Sequence, residues 1–114
     1  MKTIGSIGLG AMGGSYAKFL IEDNYKVYGV DPDTQNAEIF ISSGGVLLNN
    51  ISDLLNKSDV IILSLPTIPI FREVINEIEL NGKSNASKIL IDMNTISLDD
   101  KLETKNKLKK LNIN

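Results

Sequence analysis

Residues 3–21 run as an apolar strand, a glycine-rich turn and an amphipathic helix without interruption, and few arrangements restrict a fold more tightly. Thr3-Ile4-Gly5-Ser6-Ile7 reads as the strand and Gly8-Leu9-Gly10-Ala11-Met12-Gly13 as the turn, after which an apolar pattern continues to Ile21. A GxGxxG string alone says little, because many glycine-rich turns merely reverse the chain. Here the string follows a strand and opens a helix in which Tyr16, Ala17, Leu20 and Ile21 are expected to face a sheet. A second strand, Lys26-Val27-Tyr28-Gly29-Val30, then ends on Asp31, 18 residues past Gly13. That is the setting in which the pattern binds a dinucleotide. Gly8 permits the tight turn, Gly10 lets the backbone approach a pyrophosphate with no Cβ in the way, and Gly13 allows the helix to pack closely. The segment from Gly8 through Leu9, Gly10, Ala11 and Met12 to Gly13 is therefore the candidate pyrophosphate site. Unpaired backbone N–H groups and the positive end of the helix dipole do the binding there, so no basic side chain is required.

The end of the second strand bears on which dinucleotide is bound. A carboxylate accepts hydrogen bonds from ribose hydroxyls and repels a 2′-phosphate, whereas NADP sites commonly offer an arginine. Asp31 is followed by Pro32, Asp33 and Thr34, with no Arg or Lys close by in sequence. This favours NAD over NADP. An Asp-Pro pair also suits the start of a turn or helix, and the two roles are compatible.

Composition removes several kinds of chemistry. The chain has 114 residues, 42% of them hydrophobic, which suits one compact domain. It contains neither Cys nor His, so disulfides, thiolate and zinc-cluster sites and an imidazole base are absent, and no metal site is expected. The net charge of −2, with its Lys and Arg scattered, gives no basic stripe for nucleic acid and no polybasic membrane patch. No stretch has the form of a signal peptide or the length of a membrane span, so the expected setting is cytoplasmic.

Strands and helices alternate along the chain. A helix capped by Asp33 or Thr34 runs through Phe40 and Ile41 to Gly44-Gly45, and a short strand follows at Val46-Leu47-Leu48. Ser52 is expected to cap a helical turn over Asp53–Lys57. The run from Asp59 to Leu65, Asp-Val-Ile-Ile-Leu-Ser-Leu, has the unbroken β-branched and apolar character of a central parallel strand, and Pro66 ends it. Pro69 suits the first turn of the next helix, whose Phe71, Val74, Ile75 and Ile78 make one apolar face. A fifth strand is expected at Lys88-Ile89-Leu90-Ile91-Asp92. A last helix begins at Ser97, with Leu98, Leu102, Leu108 and Leu111 on its buried side. Repeated strand–helix units of this length imply parallel strands with right-handed crossovers, hence a doubly wound α/β sheet of the Rossmann type in a single domain. Ligands of such sheets lie across the carboxyl ends of the strands, which brings Leu65-Pro66-Thr67 and Asp92 to Ser97 to the candidate site.

Three segments, Ile7 to Gly13, Asp59 to Pro66 and Ile91-Asp92-Met93-Asn94-Thr95-Ile96-Ser97, together closely resemble the β-hydroxyacid dehydrogenases, a family that includes 3-hydroxyisobutyrate and 6-phosphogluconate dehydrogenases. The resemblance covers essentially the whole chain. It implies an NAD(P)-dependent enzyme that interconverts a 3-hydroxy acid and its semialdehyde, with Gly8 to Gly13 on the pyrophosphate and Asp31 on the adenosine ribose. Leu65 and Pro66 would form the cofactor wall, Thr95 would lie at the nicotinamide end, and Asn94 would approach the substrate. Asn94 stands where the family usually has Ser, and Ile70 where some members have an NAD-binding Asn. The family's glycine-rich substrate loop and catalytic lysine belong to a sixth strand and an all-helical second domain. The resemblance thus implies that residues 1–114 are a cofactor-binding half, cut before that sixth strand, with no catalytic residue of its own. It also implies that the full-length protein is a homo-oligomer. Two other readings stay open: an enzyme like prephenate or arogenate dehydrogenase, whose turn Gly13-Gly14-Ser15 resembles, and a non-catalytic NAD-sensing module.

Overall fold

The computed structural model describes residues 2–81, 88–93, 102 and 104–106. Five strands, β1 (Ile4–Ile7), β2 (Val27–Val30), β3 (Val46–Leu47), β4 (Val60–Leu63) and β5 (Ile89–Asp92), form one sheet in the order β3-β2-β1-β4-β5. Every pairing is parallel, with Ile4 opposite both Val27 and Val60, and Leu63 opposite Asp92. The strand order reverses at β1, which lies between β2 and β4, so the expected doubly wound α/β sheet is what the chain forms.

The helices are α1 (Ala11–Glu22), α2 (Thr34–Ser42), α3 (Ile51–Lys57) and α4 (Ile68–Asn81). They cover the two faces of the sheet through separate apolar layers. One layer joins Ile7, Ile61 and Leu63 to Leu54 and Leu55 of α3 and to Phe71, Val74, Ile75 and Ile78 of α4, the face anticipated from their spacing. Phe71 is 1% exposed and Ile78 fully buried, and each such side chain stabilises the fold by roughly 1.5–3 kcal/mol relative to an exposed one. The other layer sets Ala17 of α1 and Phe40 of α2 against Ile4, Val27 and Ile62.

Local chemistry explains where these helices begin and end. Asp33 caps α2 by accepting from the Asn36 N–H at 2.9 Å, and Thr67 caps α4 through its Oγ1, which accepts from the Ile70 N–H at 3.3 Å. α1 closes at Asn24, whose φ of 69° is tolerated by its short polar side chain. Five expectations need correction. Asn50, not Ser52, caps α3, accepting from the Asp53 N–H at 2.8 Å; both residue types can cap, but Ile51 is buried and the helix therefore starts one residue before Ser52. Tyr16 is exposed because Gly13 and Ala17, four residues apart, define the inner stripe of α1, leaving Leu20 and Ile21 only partly buried. Leu102 is half exposed rather than buried. The strand expected to continue to Leu65 ends at Leu63, and β3 ends at Leu47. The expectations at Asn94, Thr95, Ser97, Leu98, Leu108 and Leu111 lie outside the described residues. Among the described residues no helix is long and apolar enough to cross a membrane, and no cluster of acidic side chains could hold a metal.

Candidate dinucleotide site

The carboxyl ends of β1, β2 and β4 meet at the glycine turn. Gly8 has a φ of 96°, in the left-handed region, and donates its N–H to the Val30 carbonyl at 3.0 Å. A Cβ at Gly8 would collide with the Ser64 carbonyl oxygen, and one at Gly13 would collide with the carbonyl oxygen of Gly8 itself. The buried Ser6 hydroxyl donates to the same Gly8 carbonyl at 3.1 Å, so the turn is pinned from the sheet side as well. The turn is thus wedged between β4 and the start of α1, with Leu65 beside it, 3.4 Å from the position a Gly8 Cβ would take.

Gly10 differs from its two neighbours. A Cβ there would meet no protein atom within 4 Å, so packing within the protein does not require glycine at this position. What a side chain would occupy is the space in front of the first turn of α1. Gly10 is the N-cap of that helix and brings no side-chain cap, in contrast to Asp33 of α2 and Asn50 of α3. The first N–H groups of α1 have no intrahelical acceptor, and together with the helix dipole they suit an anion. The residues present therefore fit a bound pyrophosphate.

Asp31 stands next to this turn. Its Oδ2 accepts from the Leu9 N–H at 2.8 Å and from Asn36 Nδ2 at 3.3 Å, and its Oδ1 accepts from the Asp33 N–H at 2.8 Å. The carboxylate thus joins the glycine turn to the start of α2 while also making the Asp-Pro turn bond that its sequence suggested. Asn36, which the sequence reading did not single out, also lines an open cleft of about 210 Å³ between α1 and α2 with Gly10, Ser15, Lys18, Ile39 and Ser43. A polar residue three positions into the helix after the second strand was the available signal.

Of the other anticipated site residues, Ala11 and Met12 begin α1, with Met12 53% exposed. Leu65 packs against the α3–α4 layer and Pro66 is exposed at the end of β4. Gly8 to Gly13, Asp31 and Leu65 thus lie around one turn. Asn94 and Thr95 are outside the described residues, although Met93, just before them, donates its N–H to the Leu63 carbonyl at 2.9 Å and so continues the carboxyl edge of the sheet.

A parallel sheet reversing at β1, with a glycine turn feeding an uncapped helix and an acid at the end of β2, defines the dinucleotide-binding class. A family model described as the NAD binding domain of 6-phosphogluconate dehydrogenase matches residues 3–114, and the chain belongs to this family, the N-terminal domain of the β-hydroxyacid dehydrogenases. An uncharacterized oxidoreductase of Bacillus subtilis, YkwC, is 36% identical over 97 residues, which are 82% of this chain and 33% of that protein. A 2-(hydroxymethyl)glutarate dehydrogenase of Eubacterium barkeri is 33% identical, again over 82% of this chain and 32% of its own length. A solved 3-hydroxyisobutyrate dehydrogenase of Mycobacterium tuberculosis superposes with a TM-score of 0.91 and 26% identity, covering 99% of this chain and 38% of that one. The chain spans about a third of the length of the curated relatives it matches. Of the readings open from the sequence, the family match supports the NAD-binding domain of the hydroxyacid dehydrogenase family.

Proposed function

We propose that residues 1–114 form the cofactor-binding half of an oxidoreductase that interconverts a 3-hydroxy acid and its semialdehyde, and that they take NAD in preference to NADP. The observation that carries the reading is the uncapped start of α1 in front of Gly10, with Asp31 hydrogen-bonded to Leu9 at its flank. The N–H groups of the first turn of α1 bind the pyrophosphate, and the Asp31 carboxylate faces the adenosine ribose, where its charge repels a 2′-phosphate. Leu65 and Pro66 wall the cofactor, Thr95 holds its nicotinamide end, and Asn94 approaches the substrate. A bound nicotinamide supplies the hydride acceptor or donor. The substrate class is supported by the names of the relatives: both 2-(hydroxymethyl)glutarate and 3-hydroxyisobutyrate carry an alcohol on the carbon next to the one bearing a carboxylate. Removing a hydride from such an alcohol requires a base for the hydroxyl proton. We assign that base to the part of the full-length protein outside these residues.

Titration calorimetry on the chain tests this. NAD+ should bind at least about tenfold more tightly than NADP+, the cost of placing a phosphate dianion beside a carboxylate. The chain alone should oxidise no 3-hydroxyisobutyrate. Equal or tighter NADP+ binding overturns the role of Asp31, and turnover by these residues alone overturns the division of labour.

A further inference from the structure

An ionised carboxylate offers about four acceptor positions, two on each oxygen. The fold already uses three at Asp31: Leu9 N–H and Asn36 Nδ2 on Oδ2, and Asp33 N–H on Oδ1. At most one remains, on Oδ1, whereas a ribose diol presents two hydroxyls. The second hydroxyl needs another partner, and Asn36 is placed to provide it. The Asn36 main-chain N–H serves the Asp33 cap, so the start of α2 does not depend on the Asn36 side chain. Its NH2 group already reaches Asp31, at 3.3 Å. Because a carboxylate cannot donate, the amide must present its NH2 to Asp31, and its carbonyl oxygen then lies on the side away from the carboxylate. The residue also lines the cleft that reaches Gly10.

We propose that Asn36 is a specificity-determining partner of Asp31: the last lone pair of Asp31 takes one adenosine-ribose hydroxyl, and the Asn36 amide takes the other while holding the carboxylate in place. The proposal rests on the dinucleotide reading above, and its test separates the two. Affinities of the unaltered chain and of Asn36→Ala would be measured by calorimetry for NAD+ and for its analogues lacking either the 2′ or the 3′ hydroxyl of the adenosine ribose. The substitution should weaken NAD+ about three- to tenfold, the range of one hydrogen bond. Against one of the two analogues the loss should vanish, because the hydroxyl that Asn36 serves is already gone. A purely structural role would weaken all three ligands by the same factor, and that result, or no loss at all, removes the assignment while leaving the dinucleotide reading intact. Failure of the unaltered chain to bind NAD+ removes both. A melting temperature for Asn36→Ala close to that of the unaltered chain shows that any loss of binding is not a loss of fold.

Discussion

The two ends of the sheet are built on opposite plans. At the amino ends of β1, β4 and β5, side chains close the structure. The Thr3 N–H donates to Asp59 Oδ2 at 3.0 Å, and the Thr3 hydroxyl to the Lys57 carbonyl at 2.7 Å. The ammonium of Lys88, only 4% exposed, donates to the Ser58 carbonyl at 2.8 Å. At the carboxyl ends the main chain takes the larger part: the Gly8 N–H bonds to the Val30 carbonyl, the Leu9 N–H to the Asp31 carboxylate, and α1 starts on a glycine with no side-chain cap. An end whose polar groups are mostly met by its own side chains, though the buried Ser58 hydroxyl has no hydrogen-bond partner there among the described residues, has little left to offer a ligand. An end that leaves donors to the main chain keeps them for one, and what it requires of the sequence is mainly that side chains be absent.

The glycines give the largest effects and test that contrast directly. Gly8→Ala combines a positive φ with a collision against the Ser64 carbonyl, so it should cost about 2–4 kcal/mol of stability and lower the denaturation midpoint clearly. Gly10→Val meets no protein atom at its Cβ and should cost only about 1 kcal/mol of stability, the range of a poorer N-cap residue, yet abolish NAD+ binding by filling the pyrophosphate space. Two glycines two residues apart would thus fail in different assays. If Gly10→Val unfolds the chain, or binds NAD+ normally, the carboxyl end is not a backbone-made site.

Much of this was legible in the sequence because it rests on local pattern. The order of elements, the apolar face of α4 and the turn itself follow from periodicity and glycine spacing, and the acid at the end of β2 from its distance to Gly13. What escaped depends on contacts between segments far apart in sequence. Asp31 reaches Leu9 across 22 residues, and Lys88 reaches Ser58 across 30. A lysine opening an apolar strand gives no sign by itself that it will be buried. The choice of Asn50 over Ser52 turned on burial of Ile51, and the exposure of Tyr16 on which stripe of α1 the sheet selects. Asn36 escaped for a similar reason: an asparagine in the first turn of a helix is ordinary until it is seen to touch the Asp31 carboxylate beside the glycine turn.

A middle-sized effect belongs to the closed end. Lys88→Ala removes a buried stem and leaves the Ser58 carbonyl without its donor, which should cost roughly 2–3 kcal/mol. Lys88→Met keeps the stem and should recover about half of that loss. Neither should alter NAD+ affinity once measured at a temperature where the chain is folded, since the residue sits at the opposite end of β5 from the site. A change in affinity that follows the change in stability would mean the two ends are coupled, and the contrast between them would have to be withdrawn.

The smallest effect is a pH dependence, also at the closed end. The Thr3 backbone N–H, and after it the Thr3 hydroxyl, hold the Asp59 carboxyl below its ordinary pKa, with Lys2 and Lys88 adding attraction and desolvation opposing them. The ionised form is therefore favoured in the folded chain. Its contribution is fully present above the unfolded value, about 3.9, and is lost as pH falls through the lower folded value. Asp59→Asn abolishes the titration at this position. The parent should accordingly melt at a slightly higher temperature than Asp59→Asn at pH 7, with the gap narrowing below about pH 4 as the carboxyl is protonated. The pair is exposed to solvent, so salt should shrink the gap too. A gap that stays constant from pH 7 to pH 2 would mean that Thr3 recognises the shape of the Asp59 side chain and not its charge. The closed end would then be held by hydrogen bonding alone, the Lys88 bond to the Ser58 carbonyl included.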